Sequence, residues 1–143
     1  MDEIPTMPPA KSRGFFKALW SLWTPDRFES LKPTHPGLLY REPAGRGTKP
    51  KVDVYLPSAA GPHASVILIH GGGYIIGSRD MKPMRYLASH LSAAGFAVAS
   101  MDYRLVFRGG RFEEALGDVV AVTDWWFDQQ EAFGLDPERV SML

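Results

Sequence analysis

The sequence has no cysteine, which excludes a disulfide framework, a thiol nucleophile and a thiolate metal site. Histidine is scarce: His35, His63, His70 and His90 are scattered without the spacing of a metal site, so no metal is expected. An excess of charge of either sign is also missing. Sixteen basic residues balance sixteen acidic ones, and no long-range field draws the surface to nucleic acid or anionic lipid. No apolar run is long enough to span a bilayer, and there is neither an internal repeat nor a low-complexity tract.

What is present is one ordinary domain's worth of chain, 143 residues, with 45% hydrophobic content, enough for a packed core. Residues 1–36 read as a lead-in arm, interrupted by Pro5, Pro8, Pro9, Pro25, Pro33 and Pro36. Within it Phe15, Phe16, Leu19, Trp20, Leu22 and Trp23 follow Lys11 and Arg13, superficially like a signal peptide. Asp2 and Glu3 lead the stretch, Lys17 and Ser21 break it, and no small-residue cleavage site follows. A short amphipathic helix is expected instead, packed on the body of the protein, with its aromatic face capping a substrate pocket, or peripheral membrane contact through residues 11–24, as the alternatives. The lack of an export signal points to a cytoplasmic location.

Residues 37–143 carry the fold. Leu38, Leu39 and Tyr40, a loop with Gly45 and Gly47, and the alternation Val52, Val54, Leu56 predict two strands joined as a hairpin. Val66 to Ile69 form a continuous apolar run, suited to a strand buried on both faces. Met84, Leu87, Ala88 and Leu91 repeat at helical spacing, with Pro83 in the first turn and Gly95 at the C-terminal end. Phe96 to Met101 predicts the next strand. Phe112, Ala115, Leu116, Val119, Thr123 and Trp126 trace the expected inner face of a second helix ending near Gly134. Asp136, Pro137 and Glu138 make a turn before a last strand with Val140, Met142 and Leu143. The fold class is α/β: hairpin strands, then a parallel βαβαβ unit with right-handed crossovers.

The chemistry concentrates in His70-Gly71-Gly72-Gly73-Tyr74-Ile75-Ile76-Gly77, directly after a buried strand. Without Cβ atoms, the backbone of consecutive glycines can approach a ligand closely and turn its N–H groups toward it. A dinucleotide site has the same ingredients, but the third glycine of its spacing falls on Ile76, and no Gly-Lys-Ser/Thr ending makes a Walker loop. The HGGG loop resembles the oxyanion loop of α/β-hydrolases in the hormone-sensitive-lipase and carboxylesterase branch. Tyr55-Leu56-Pro57, Gly73-Tyr74 with Gly77, Asp102-Tyr103-Arg104-Leu105 and Gly134-Leu135-Asp136-Pro137-Glu138-Arg139-Val140 agree with it in order.

That resemblance implies a serine-type carboxylic ester hydrolase with no cofactor, acting on a small-molecule ester. Gly71 and Gly72 would donate the oxyanion-hole N–H groups and Gly73 would keep the loop open. His70 is a loop-positioning residue rather than the base, because the triad histidine follows the serine and the acid along the chain. Ser78, Ser89, Ser92, Ser100 and Ser141 lack the Gly-x-Ser-x-Gly setting, and Ser141 is expected to point into the packing. The chain therefore reads as the N-terminal portion of the domain, ending before the nucleophile and inactive by itself. Asp102, Asp118 and Asp124 are expected to be structural, and Trp125, Trp126 and Phe127 to form a packing cluster. Val106-Phe107-Arg108-Gly109-Gly110-Arg111 departs from the proline-containing continuation usual in that branch. A non-catalytic ligand-binding protein and a peptidase on the same scaffold remain the rival readings.

Overall fold

The computed structural model describes residues 32–44 and 50–143. The expected amphipathic helix lies outside them. Five strands form one sheet: β1 (His35–Leu39), β2 (Lys51–Tyr55), β3 (His63–Ile69), β4 (Ala97–Met101) and β5 (Leu135–Met142). Their spatial order is β1-β2-β4-β3-β5; the β1–β2 and β2–β4 pairs are antiparallel, while β4–β3 and β3–β5 are parallel. Helices α1 (Lys82–Ala93), α2 (Phe112–Asp128) and the short α3 (Gln130–Phe133) connect the parallel strands. This is the hairpin-plus-βαβαβ arrangement the sequence predicts.

Period-two alternation divides the core between the two faces of the sheet. Val66, Leu68 and Val98 meet Met84 and Ala88 of α1 on one face. Ile67, Ala97, Ala99 and Met101 meet Ala115, Val122 and Trp126 of α2 on the other. The connections leaving β3 and β4 thus depart to opposite faces, which opens a crevice beyond the carboxyl ends of these neighbouring strands.

Two elements differ from expectation. In α2 the buried residues are Ala115, Asp118, Val122 and Trp126, while Phe112 and Leu116 are exposed. The inner face is rotated because Asp118 is held inward by two arginines. Phe127 is likewise exposed, and its place beside Trp125 and Trp126 is taken by Phe133, with ring centroids 6.2 and 5.8 Å away. The other difference is that β5 begins at Leu135, and the Asp136-Pro137-Glu138 turn sits inside it as an irregularity. His63 pairs with Leu135 but Ser65 already pairs with Val140, and Asp136 Oδ1 accepts the Glu138 N–H at 3.0 Å. Ser141, expected to face the packing, is exposed.

Candidate active site

The glycine segment leaves β3 at the mouth of the crevice, and its geometry follows from who holds each carbonyl. A trans peptide is planar, with C=O and N–H directed oppositely, so an anchored carbonyl also aims the next residue's N–H. The His70 carbonyl accepts the Tyr103 hydroxyl at 2.9 Å. The Gly71 carbonyl accepts His70 Nδ1–H at 3.0 Å, and the Gly72 carbonyl accepts the N–H groups of Ile75 and Ile76 at 3.1 and 3.3 Å. Three consecutive carbonyls are therefore tied to the protein. The N–H groups of Gly71, Gly72 and Gly73 face away from those anchors, and among the described residues none has an acceptor. All three glycines are exposed.

Glycine is required here at specific places. Gly72 has φ +127°, and a Cβ there would lie 1.8 Å from the Ile76 carbonyl oxygen. Gly77 has φ +130°, and its Cβ would lie 2.2 Å from His70 Nδ1 and 2.6 Å from the Gly71 oxygen. Tyr74 takes a left-handed φ of 63° despite its side chain. Edge contacts to Phe112 and Tyr103, at 5.0 and 5.9 Å, and its carbonyl accepting the Val106 N–H at 2.8 Å hold it there.

His70 is buried and stacked on Tyr103 with centroids 4.2 Å apart. Burial pushes its imidazole below the usual histidine range, against the opposing effects of the Gly71 hydrogen bond and of Asp102 and Asp80. A neutral ring whose Nδ1–H is committed to a neighbouring carbonyl orients the loop. The Tyr103 hydroxyl is pushed up, mainly by burial with Tyr74 adding to it, so it stays a protonated donor into alkaline solution.

Asp102-Tyr103-Arg104-Leu105 braces this loop from the end of β4. Asp102 accepts the Arg79 N–H at 2.8 Å and pairs with the Arg79 guanidinium. Arg79 Nε also lies 2.9 Å from Asp53 Oδ1 as an ion pair without hydrogen-bond alignment. Burial opposes the Arg79 charge, but the two carboxylates outweigh it and raise its pKa. Ser100 Oγ donates to the Arg79 carbonyl at 3.0 Å, completing the attachment. Arg104 donates to both carboxylate oxygens of Asp118, at 2.9 and 3.0 Å, and Arg41 lies 2.7 Å from the same group. Leu105 is buried, and its carbonyl accepts the N–H groups of Arg108 and Gly110. The unusual Gly109-Gly110 pair thereby has a role: Gly109, at φ 93°, closes a short 3₁₀ turn at Val106–Arg108.

Asp102 and Asp118 thus have structural partners, as expected, and Asp124 is exposed on α2. Arg79 and Arg41 were not singled out in the sequence. The available signal was Asp53, a charge between Val52 and Val54 in a buried strand that requires a partner. Among the described residues no cluster of histidine and carboxylate side chains could hold a metal, and no helix is long and apolar enough to cross a membrane.

The chain is similar to several known proteins over part of its length. Ethyl acetate hydrolase of Pseudomonas putida is 35% identical over 88 residues, which are 61% of this chain and 26% of that protein. Gut esterase 1 of Caenorhabditis elegans is 32% identical over 102 residues, 64% of this chain and 18% of that one. The chain therefore spans about a quarter or less of these relatives. The butyrate-bound esterase Est2 of Thermogutta terrifontis superposes with a TM-score of 0.67 at 19% identity, over 77% of this chain and 40% of its own. Its paraoxon-phosphorylated form gives 0.68, again at 19% identity, over 82% and 45%. These likenesses make the fold that of the α/β-hydrolase esterases. The pattern of the BD-FAE family matches residues 52–143, and with a match over more than half its length the chain belongs to that family.

Proposed function

We propose that the glycine loop is the oxyanion-binding element of a carboxylic ester hydrolase of the serine type, with Gly71 and Gly72 as the N–H donors. The observation that carries this reading is the run of exposed amides at Gly71, Gly72 and Gly73, without an acceptor among the described residues, behind three tied carbonyls. An ester carbonyl placed there gains negative charge when a nucleophile adds, and fixed donors stabilise that charge without having to reorganise. The loop would take the oxyanion alone. The serine in this reading is one outside residues 1–143, which contain no Gly-x-Ser-x-Gly. Ethyl acetate hydrolase among the relatives favours a small ester of a short acid as substrate.

The test uses the whole protein with p-nitrophenyl acetate and with an organophosphate that phosphorylates an active serine. Turnover, loss of turnover on labelling, and a kcat lowered by about 100-fold or more in Gly72→Ala are the expected results. Binding of esters without hydrolysis would replace this reading with a ligand-binding protein. Cleavage of peptides in preference to esters would replace it with a peptidase.

A further inference from the structure

The glycine loop stands on two feet, and both rest on the end of β4. One is Ile69, the last residue of β3, which pairs with Met101 and donates its N–H to the Leu143 carbonyl at 2.8 Å. The other is Arg79, whose N–H donates to Asp102 Oδ1 at 2.8 Å. Met101 and Asp102 are consecutive, so residues 70–78 close into a compact loop whose ends meet on one strand. The feet are fastened differently. Backbone pairing within the sheet holds Ile69, whereas side chains hold Arg79, and that second foot can be loosened without breaking the sheet.

Those side chains share one face. Asp53 pairs with Ser100 across β2 and β4, and Asp102 follows Ser100 by two residues, so period-two alternation puts all three on the same side of the sheet. Ser100 Oγ donates to the Arg79 carbonyl at 3.0 Å, while the guanidinium pairs with Asp102 and lies 2.9 Å from Asp53. Asp53 is fixed in turn, since its Oδ1 accepts the Gly37 N–H of β1 at 2.7 Å. Both carboxylates are buried, and without a cation between them they would repel one another across the strand pair.

We infer that Arg79 is a positioning residue: by bridging Asp53 and Asp102 its guanidinium fixes the second foot of the glycine loop, and with it the direction of the loop's amides. The kinetic consequence rests on the esterase reading; the geometric one does not. In Arg79→Met the stem and the main-chain N–H remain, but Asp53 and Asp102 face each other without a cation. Asp102 then turns away from the N–H it accepts, and the foot leaves β4. The Gly71 and Gly72 carbonyls are tied within the loop, so the turn keeps its shape and tilts as a body. The outside ties, from Tyr103 to His70 and from Val106 to Tyr74, become the pivot. A tilt of fixed donors away from a developing negative charge removes part of their stabilisation.

The experiment compares Arg79→Met, Arg79→Lys, Ser100→Ala and Arg41→Met with the parent in the whole protein. It measures p-nitrophenyl acetate kinetics, the thermal midpoint, and residual dipolar couplings of the N–H groups of residues 71–73. Arg41 is the control: its side chain is 19% exposed against 17% for Arg79, and it bonds to Asp118 and the Glu42 carbonyl rather than to the glycine loop. Arg79→Met should lower kcat about 10-fold or more with KM within about 2-fold, as for an interaction that acts in the transition state, and should shift the three couplings. Arg79→Lys keeps a cation between the carboxylates and should recover most of kcat. Arg41→Met should lower the thermal midpoint about as much as Arg79→Met does, yet keep kcat within about 3-fold and the couplings of the parent. If Arg79→Met does not fold, Ser100→Ala loosens the same foot by removing the donor to the Arg79 carbonyl, and the couplings should shift in that variant as well. Couplings unchanged in the variant of this foot that folds overturn the inference whether or not the protein hydrolyses esters. So does an equal loss of kcat in Arg79→Met and Arg41→Met, which would make the effect one of general stability. A parent without ester turnover defeats the esterase reading alone, and the dipolar couplings then decide the role of Arg79.

Discussion

The loops that leave the neighbouring strands β3 and β4 are made in opposite ways. After β4, the side chains of Asp102, Tyr103 and Arg104 each bond to another segment, and the carbonyl of Leu105 closes the turn within its own loop. After β3, residues 71–73 have no side chains to bond with, and their amides have no acceptor among the described residues. The difference is a division of labour: the second loop supplies one side-chain donor, the Tyr103 hydroxyl, to a carbonyl of the first and one side-chain acceptor, Asp102, to its Arg79, while the Gly71 and Gly72 carbonyls are held from within the first loop. The three amides are exposed, so water can meet them, and what the bracing fixes is their direction, through the carbonyls of the same peptides.

The largest change should come from breaking the braced loop. Asp118 is almost completely buried and meets Arg104 and Arg41, so Asp118→Ala leaves two guanidinium groups around an empty site. The loss should be about 3 kcal/mol of unfolding free energy, at the low end for a broken buried pair because both arginines retain some contact with water. Denaturant unfolding of the whole protein measures it. A loss under about 1 kcal/mol would mean that the arginines rehydrate and that the bracing is weak.

A smaller effect on stability, but a larger one on turnover, should follow from disturbing the free loop. Gly77→Ala drives a methyl group against His70 Nδ1 and the Gly71 oxygen, the two atoms whose bond aims the Gly72 amide. The kcat for p-nitrophenyl acetate should fall about 10- to 100-fold, with a stability loss of about 1–3 kcal/mol for the strained backbone. Gly73→Ala is the sharper companion. Its φ is +61°, yet a Cβ there meets nothing within 4 Å, so it carries backbone strain of about 1–2 kcal/mol without displacing His70. Equal turnover losses in the two variants would show that glycine flexibility, not the His70 contact, is what matters.

Much of this arrangement is visible in the sequence because it is local. The continuous run Val66–Ile69, the glycine triplet after it and the capped helix from Lys82 are each specified by neighbouring residues. The inner face of α2 is not. An amphipathic reading turns Phe112 and Leu116 inward and Asp118 outward, whereas Asp118 is buried by Arg41, 77 positions away, and by Arg104, 14 positions away. The Arg79 clamp is hidden for the same reason: its partner Asp102 lies 23 positions on, brought near only when β4 joins the sheet. The glycines could be named as donors from the loop alone. What tied their carbonyls could not, since Tyr103 is 33 residues from His70.

The smallest expected effect concerns pH and the residue that belongs to both loops. His70 sits in the glycine loop but stacks on Tyr103 of the other, and burial lowers its pKa below the ordinary 6.5. In the unfolded chain the ring takes up a proton near pH 6.5, whereas in the folded protein it stays neutral to lower pH. The stabilisation from a neutral, buried His70 is therefore complete above pH 6.5 and is lost as pH falls through the folded-state value. In His70→Asn the side-chain amide can still donate to the Gly71 carbonyl but does not titrate. Its unfolding free energy, measured from pH 8 down to pH 5, should fall less steeply below pH 6.5 than that of the parent. Parallel curves would mean that His70 titrates as it does in the unfolded chain. The contrast between a free loop and a braced one would then lose the buried ring that joins them.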